Sequence, residues 1–187
     1  IKYSDNKLSS IYVIDNNSSD NSISLIKQKF PSIKIILNKE NYGYAKGYNV
    51  GLKNIKSDYI VLINNDVEVS KNWLIPMFNS MEQNNKIGSC QPKILSYENR
   101  TSFEYAGASG GYIDFLGYPY CRGRIFNTLE KDKGQYSDSK IFWASGACFF
   151  ISKKVFYKIG GFDKRFFAHM EEIDLCWRAF NLGFECY

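Results

Sequence analysis

Short apolar runs alternate with amphipathic stretches along the first half of the chain. Residues 11–14, Ile-Tyr-Val-Ile, are β-branched and apolar and end at Asp15, which predicts a buried strand. A polar turn follows over residues 16–21, with Ser19 or Asp20 placed to cap a helix. Ile23, Ile26 and Phe30 recur at helical spacing, and Pro31 stops them. Residues 33–37 predict a second strand. A glycine-marked helix is expected over about residues 44–54. Residues 59–63 form a continuous apolar strand that runs into Asn64-Asn65-Asp66. Trp73, Leu74, Met77, Phe78 and Met81 then give an amphipathic helix, and residues 87–91 another strand.

The second half is less regular. Residues 96–139 carry six glycines among aromatics and no clear period, so loops and short strands over a cleft are expected. Residues 141–151 predict a strand interrupted at Ser145-Gly146. Short helices are expected over residues 153–159 and 172–182. Strands alternating with helices argue for an α/β fold built on a mostly parallel sheet flanked by helices. Ligands of such sheets sit beyond the carboxyl ends of the strands. Asp15 and Asp66 both stand at such ends, which places them at one crevice.

At 187 residues the chain fits one domain with a substantial core. Aromatic residues make up 17% of it, which suits a binder of rings or sugars, although composition alone favours an aromatic core. The net charge of +5 is spread over scattered lysines rather than a block. Nucleic acid is therefore disfavoured as a partner, and no nucleic-acid motif is present. Loose attraction to anionic lipid heads fits the same charge. The five cysteines form no CxxC pair and read as reduced thiols of a cytosolic protein. With one histidine and no ligand spacing, a zinc site is disfavoured. No apolar run reaches the length of a membrane span, and no signal peptide is expected.

Three motifs can carry chemistry. Gly43, Gly47 and Gly51 lie four apart and share one helix face without side chains. That face serves either close helix-to-sheet packing or close approach to a bound diphosphate. It is neither GxGxxG nor a Walker loop, which argues against a nicotinamide enzyme or a kinase. Asn64-Asn65-Asp66 is either a turn or the anchor of a divalent ion held by one carboxylate plus phosphate oxygens, as Mg²⁺ or Mn²⁺ commonly is. Glu171, Glu172 and Asp174 crowd the start of the last helix, beside Phe166, Phe167, Met170 and Trp177. A carboxylate in a cleft serves as a base, and the helix N-terminus favours its ionised form. Asp174 and Arg178, four apart, read as a structural pair. His169 reads as a loop or packing residue ahead of a second base.

The order of these pieces resembles family 2 inverting glycosyltransferases of the GT-A fold, in their rhamnosyltransferase-like branch. The resemblance rests on Val13-Ile14-Asp15 with Asn16 to Asp20, then Asn41-x-Gly43-x-Ala45-x-Gly47-x-Asn49-x-Gly51, then Leu62-Ile63-Asn64-Asn65-Asp66. Trp143-Ala144-Ser145-Gly146-Ala147-Cys148, Gly160-Gly161-Phe162-Asp163 and Glu171-Glu172-x-Asp174-Leu175-Cys176-Trp177-Arg178 complete it. It implies a single catalytic domain over residues 1–187, partial at both ends. The family's first strand and helix are missing before Asp15, and its histidine beyond the last helix is absent. Completion of the sheet by a second chain, as in a homodimer, is one expectation from that.

The resemblance also implies roles. Asp15 matches the acid that contacts the nucleobase, and Asn41, Gly43 and Gly47 match the nucleotide-binding stretch, with Asn17 and Asn65 alongside as donor-binding residues. Asp66 is the implied ligand of Mg²⁺ or Mn²⁺, with Asn64 standing where the metal motif has its first acid. Gly146 matches the glycine beside acceptor and donor sugar. Glu172 matches the catalytic base, with Glu171 as second candidate. The implied reaction is inverting transfer of a sugar, rhamnose by branch, from a nucleoside-diphosphate sugar to a saccharide or lipid-linked acceptor. The implied setting is polysaccharide biosynthesis in the cytoplasm or at the inner face of the membrane. A sugar-nucleotide nucleotidyltransferase and a non-catalytic sugar-nucleotide-binding module are the alternatives. The first lacks its glycine-rich basic phosphate loop here, and the Glu171-Glu172 pair argues against the second.

Overall fold

A computed structural model describes Tyr3 and residues 9–187. Residues 1, 2 and 4–8 lie outside the described residues.

The first predicted strand is β1 (Tyr12–Asp15), followed by α1 (Ser22–Lys29) and β2 (Lys34–Leu37). Neither candidate cap takes the N-cap position, which falls on Asn21 without a side-chain cap bond; Asp20, one residue earlier, accepts the Ser22 N–H at 3.0 Å. β1 and β2 pair in parallel, with Tyr12 opposite Lys34 and Asp15 opposite Leu37. Then come α2 (Gly43–Gly51), β3 (Tyr59–Ile63), α3 (Leu74–Gln83) and β4 (Ile87–Cys90), all within a few residues of the predicted bounds.

The irregular middle resolves into two small antiparallel hairpins, β5 (Gly111–Ile113) with β6 (Pro119–Cys121), and β7 (Arg124–Ile125) with β8 (Thr128–Leu129). The strand expected over residues 141–151 is shorter. β9 (Cys148–Ser152) holds only its second part, because residues 141–147 turn through Ser145-Gly146 and spend their backbone bonds elsewhere. Trp143 and Phe142 bond Gly111, and Ile141 bonds Cys186. Two helices follow, α4 (Lys153–Lys158) and α5 (Glu171–Asn181), and the two-residue strand β10 (Glu185–Cys186) closes the series.

The larger sheet has the order β10-β4-β9-β3. β9 runs antiparallel to both neighbours, with Ile63 opposite Cys148 and Cys90 opposite Phe150, while β10 and β4 are parallel. The sheet is therefore mixed: β10, β4 and β3 share one direction, as expected of a mostly parallel sheet, and β9 alone opposes them. No helix bridges β4 and β9. The chain leaves at Cys90, wanders through the hairpins and re-enters from the same end, which requires the opposite direction.

Both faces of this sheet are covered. Ile60, Leu62, Phe149 and Ile151 join the main core with Phe103, Phe156, Phe162 and Leu175. The alternate residues Tyr59, Val61 and Phe150 meet Met77, Met81 and Ile87 on the other side. This period-two split is what a strand buried on both faces dictates. All five cysteines are buried and free. No helix among the described residues is long and apolar enough to cross a membrane.

Candidate active site

Polar residues gather where β1, β2 and β3 end. Asp15, 9% exposed, ends β1 and accepts the Ser18 N–H at 3.2 Å. Asn16 donates to the Gly43 carbonyl at 2.8 Å, at the mouth of α2. Asn38, just past β2, is buried and donates to the Asn16 side-chain oxygen at 2.8 Å. Its own side-chain oxygen has no partner. Asn17 takes a left-handed backbone, φ 66°, and is exposed. Asn41 is exposed and caps the turn into α2 by accepting the Gly43 N–H at 3.0 Å.

The glycine face of α2 meets protein. A Cβ at Gly47 would lie 2.7 Å from the Asn16 amide, one at Gly51 2.6 Å from Ile14, and one at Gly43 2.4 Å from the Phe167 carbonyl oxygen. Of the two readings of this motif, the structure selects close packing: the glycines let α2 lie against β1 and the loop before α5. Asn49 anchors the far side, donating to the Phe162 carbonyl at 2.7 Å and accepting its N–H at 3.0 Å.

Asp66 lies in an exposed turn after β3 with Asn64 and Asn65, and its carboxylate engages no side chain among the described residues. Glu68 turns away to pair with Arg100 at 2.9 Å. No three His, Cys, Asp or Glu side chains among the described residues come together as a metal cage. The donor set at Asp66 is thus one hard carboxylate, which fits Mg²⁺ or Mn²⁺ only where a ligand's phosphate oxygens supply the remaining coordination.

Hydrogen bonds knit these segments to the acidic cluster. The Asn64 N–H donates to the Ala147 carbonyl at 3.1 Å, which ties the Asp66 turn to the Gly146 turn. The Tyr44 N–H donates to Phe167 at 2.7 Å, and its hydroxyl donates to the Gly146 carbonyl at 2.9 Å. Gly146 faces Glu172: a Cβ there would lie 3.9 Å from the Glu172 carboxyl carbon. Asp15, Asp66 and Glu172 are in this way joined through Asn16–Gly43, Tyr44–Gly146 and Ala147–Asn64, without touching one another directly.

Helix α5 starts abruptly. His169 and Met170 both have left-handed backbones, φ 71° and 70°, and no side chain caps the helix. Such non-glycine residues are strained and cluster at functional sites. Glu171 is 3% exposed and Glu172 half-buried, and one carboxyl oxygen of each is buried without a hydrogen-bond partner. Burial pushes both carboxyls above the usual glutamate range, and the neighbouring Glu171 charge adds to the rise at Glu172. The helix N–H groups and His169 oppose this and do not overcome it. The helix terminus does favour the ionised form, as expected, but desolvation outweighs it in setting the direction at both carboxyls. Asp174 and Arg178 form the predicted ion pair at 2.6 Å, and Arg178 also donates to the Ile159 carbonyl.

A cavity of about 380 Å³ lies elsewhere, lined by Tyr59, Ile87, Lys158 and Phe184 at the opposite end of β3 from Asp66. Sequence reasoning missed Asn38 and Tyr44. Asn38 ends a strand just as Asp15 does, so the strand-end rule applied to it equally. Tyr44 gave no signal, since an aromatic within a helix reads as core.

The mixed sheet with helices on both faces, with polar residues at the ends of β1, β2 and β3, is a GT-A-type fold. The structure of GalNAc-T7 with UDP, GalNAc and Mn²⁺ shares it at a TM-score of 0.74, with 15% identity over 99% of this chain and 37% of that one. So does the mannosyltransferase PcManGT from Pyrobaculum calidifontis, solved with GDP-Man and Mn²⁺, at a TM-score of 0.64, with 11% identity over 95% of this chain and 44% of that one. Residues 2–160 match the family model described as Glycosyl transferase family 2, and the chain belongs to that family. The match ends before α5. The N-acetylglucosaminyl-diphospho-decaprenol L-rhamnosyltransferase of Mycobacterium tuberculosis is 22% identical over 93% of this chain and 62% of its own length. The low-salt glycan biosynthesis hexosyltransferase Agl10 of Haloferax volcanii is 28% identical over 89% of this chain and 52% of its own. The chain thus spans between half and two thirds of these relatives.

Proposed function

We propose that this protein transfers a sugar, with inversion, from a nucleoside-diphosphate donor to a saccharide or lipid-linked acceptor. The observation that carries the reading is the Glu172 carboxyl: raised by burial, with an unpartnered oxygen, facing a glycine at the junction of three site segments. A carboxyl poised upward from the ordinary range is a stronger base once ionised. Glu172 takes the proton from an acceptor hydroxyl as that oxygen attacks the anomeric carbon. The bond to the diphosphate breaks, and the nucleoside diphosphate departs. No sugar–enzyme bond forms. Glu171 stands beside Glu172 as the alternative base.

Asp15, Asn17, Asn41 and Asn65 supply the polar edge for the donor, and Gly43 and Gly47 hold α2 close enough to complete it. Gly146 leaves room for the reacting groups. A divalent cation at Asp66 would offset charge on the departing diphosphate. Rhamnose is the donor sugar proposed first, on the likeness to the mycobacterial L-rhamnosyltransferase; dTDP is its proposed carrier on the resemblance to the rhamnosyltransferase-like branch, and UDP-linked sugars come second. The same likeness supports a lipid-linked acceptor, and with it action in the cytoplasm at the inner face of the membrane. Acceptor choice is proposed for the segment 96–139, which holds the two hairpins.

The test is Glu172→Gln, which keeps the shape and removes the base. Transfer is expected to fall at least a hundredfold while donor binding by calorimetry persists. Near-normal turnover by that variant would refute the assignment.

A further inference from the structure

We infer that Tyr44 is a positioning residue of the transfer reaction, its hydroxyl pinning the Gly146 carbonyl and its ring walling off the Glu172 carboxyl from water. The inference rests on the reading of Glu172 as the base. Tyr44 is the second residue of α2, and each of its parts is tied to a different segment. Its N–H donates to Phe167 in the loop before α5. Its ring packs edge-on against Tyr48, centroids 4.7 Å apart, and against Phe162 of the glycine turn, 5.6 Å apart. Its hydroxyl donates to Gly146 at 2.9 Å.

The space beside Gly146 shows why this matters. A Cβ placed on Gly146 would lie 3.2 Å from the Tyr44 hydroxyl and 3.9 Å from the Glu172 carboxyl carbon. The hydroxyl and the carboxyl therefore border one small volume that no side chain fills. A residue serving only the core would be as good as phenylalanine, since a half-buried hydroxyl must find a partner to be tolerated. Here the partner is the carbonyl of the residue that faces the base. Burial, with Tyr48 and the two glutamates adding, pushes the Tyr44 phenol up, so it stays a donor.

The titratable groups around Glu172 are Glu171 beside it, His169 in the loop before α5 and Tyr44 from α2, with Cys148 of β9 next to Tyr44. Of these, Tyr44 stands across the Gly146 position from the carboxyl and adds no charge at neutral pH. Removing the ring readmits water, favours the carboxylate and lowers the affinity of Glu172 for its proton. Removing only the hydroxyl keeps the ring and frees the Gly146 carbonyl.

The experiment uses two variants and two readouts. The Glu172 carboxyl is titrated by carbon-13 NMR in the wild type, Y44F and Y44A, with E172Q to assign the signal. The same proteins are assayed for turnover of dTDP-rhamnose, and circular dichroism establishes that each is folded. Y44A is expected to move the Glu172 midpoint downward, and Y44F to leave it in place. Y44F is expected to lose about tenfold in kcat with the donor KM held within about twofold, which places the loss in the alignment of the chemical step and not in donor binding. An unmoved midpoint in folded Y44A, or wild-type kcat in Y44F, overturns the inference. The titration needs no substrate. A wild type that turns over no donor would count against the proposed function, and the midpoint in Y44A would still decide for or against Tyr44.

Discussion

Glu171 and Glu172 set the behaviour of this protein with pH. Burial raises both carboxyls, so the folded state holds their protons more tightly than the unfolded chain does. The stabilising contribution is therefore present below the unfolded value of about 4.3 and is lost as pH rises through the raised, folded value. At neutral pH the ionised pair is a cost to the fold. Glu171→Gln is expected to raise the urea midpoint at pH 7.5, with the gain shrinking as pH falls through the carboxyl range. A gain that is absent at pH 7.5, or equal at both ends, would contradict the burial argument. Turnover carries the opposite sign. It requires ionised Glu172, so kcat falls as the solution is acidified, and the fall begins at a higher pH than an ordinary glutamate would give.

At the scale of elements, α2 is the part on which the site depends. Its glycine face meets Asn16 and Ile14, its first turn meets Phe167, and Asn49 ties its other side to Phe162. Gly47→Ala places a methyl 2.7 Å from the Asn16 amide, which is itself held by Asn38 and Gly43. Overpacking of this kind costs about 1–3 kcal/mol. Chemical denaturation of Gly47→Ala is expected to show that loss, and donor affinity is expected to fall with it because Asn16 carries the end of β1. A variant as stable as the parent would mean that α2 can slide away from β1. The elements themselves were legible in the sequence where a period was long enough to read. The strands β1 to β4 and the helices α1 to α5 lie within a few residues of their expected bounds. The hairpins of residues 111–129 and β10 were not, because strands of two or three residues have no period to detect.

Across the whole molecule, the strand ends, the Gly146 turn and the start of α5 are linked by single hydrogen bonds, so a ligand that spans them should stiffen the fold. A nucleoside-diphosphate sugar at about a hundred times its dissociation constant would add about 2.7 kcal/mol to stability. Thermal shift with dTDP-rhamnose and Mn²⁺ is expected to show a rise in Tm, and Asp66→Ala is expected to lose the part of that rise that depends on Mn²⁺. A rise equally large without metal would remove Asp66 from the donor site. The sequence by itself determined the α/β class, the packing periods and the acids at strand and helix ends, because hydrophobic spacing and capping chemistry act over a few neighbouring residues. Only the tertiary structure decided that β9 runs against its neighbours, that the glycines of α2 are filled by protein, and that burial outweighs the helix terminus at Glu172. It also decided that Tyr44 reaches Gly146, 102 residues away along the chain. Direction, contact and desolvation all depend on which distant segments meet, and local pattern carries no record of that.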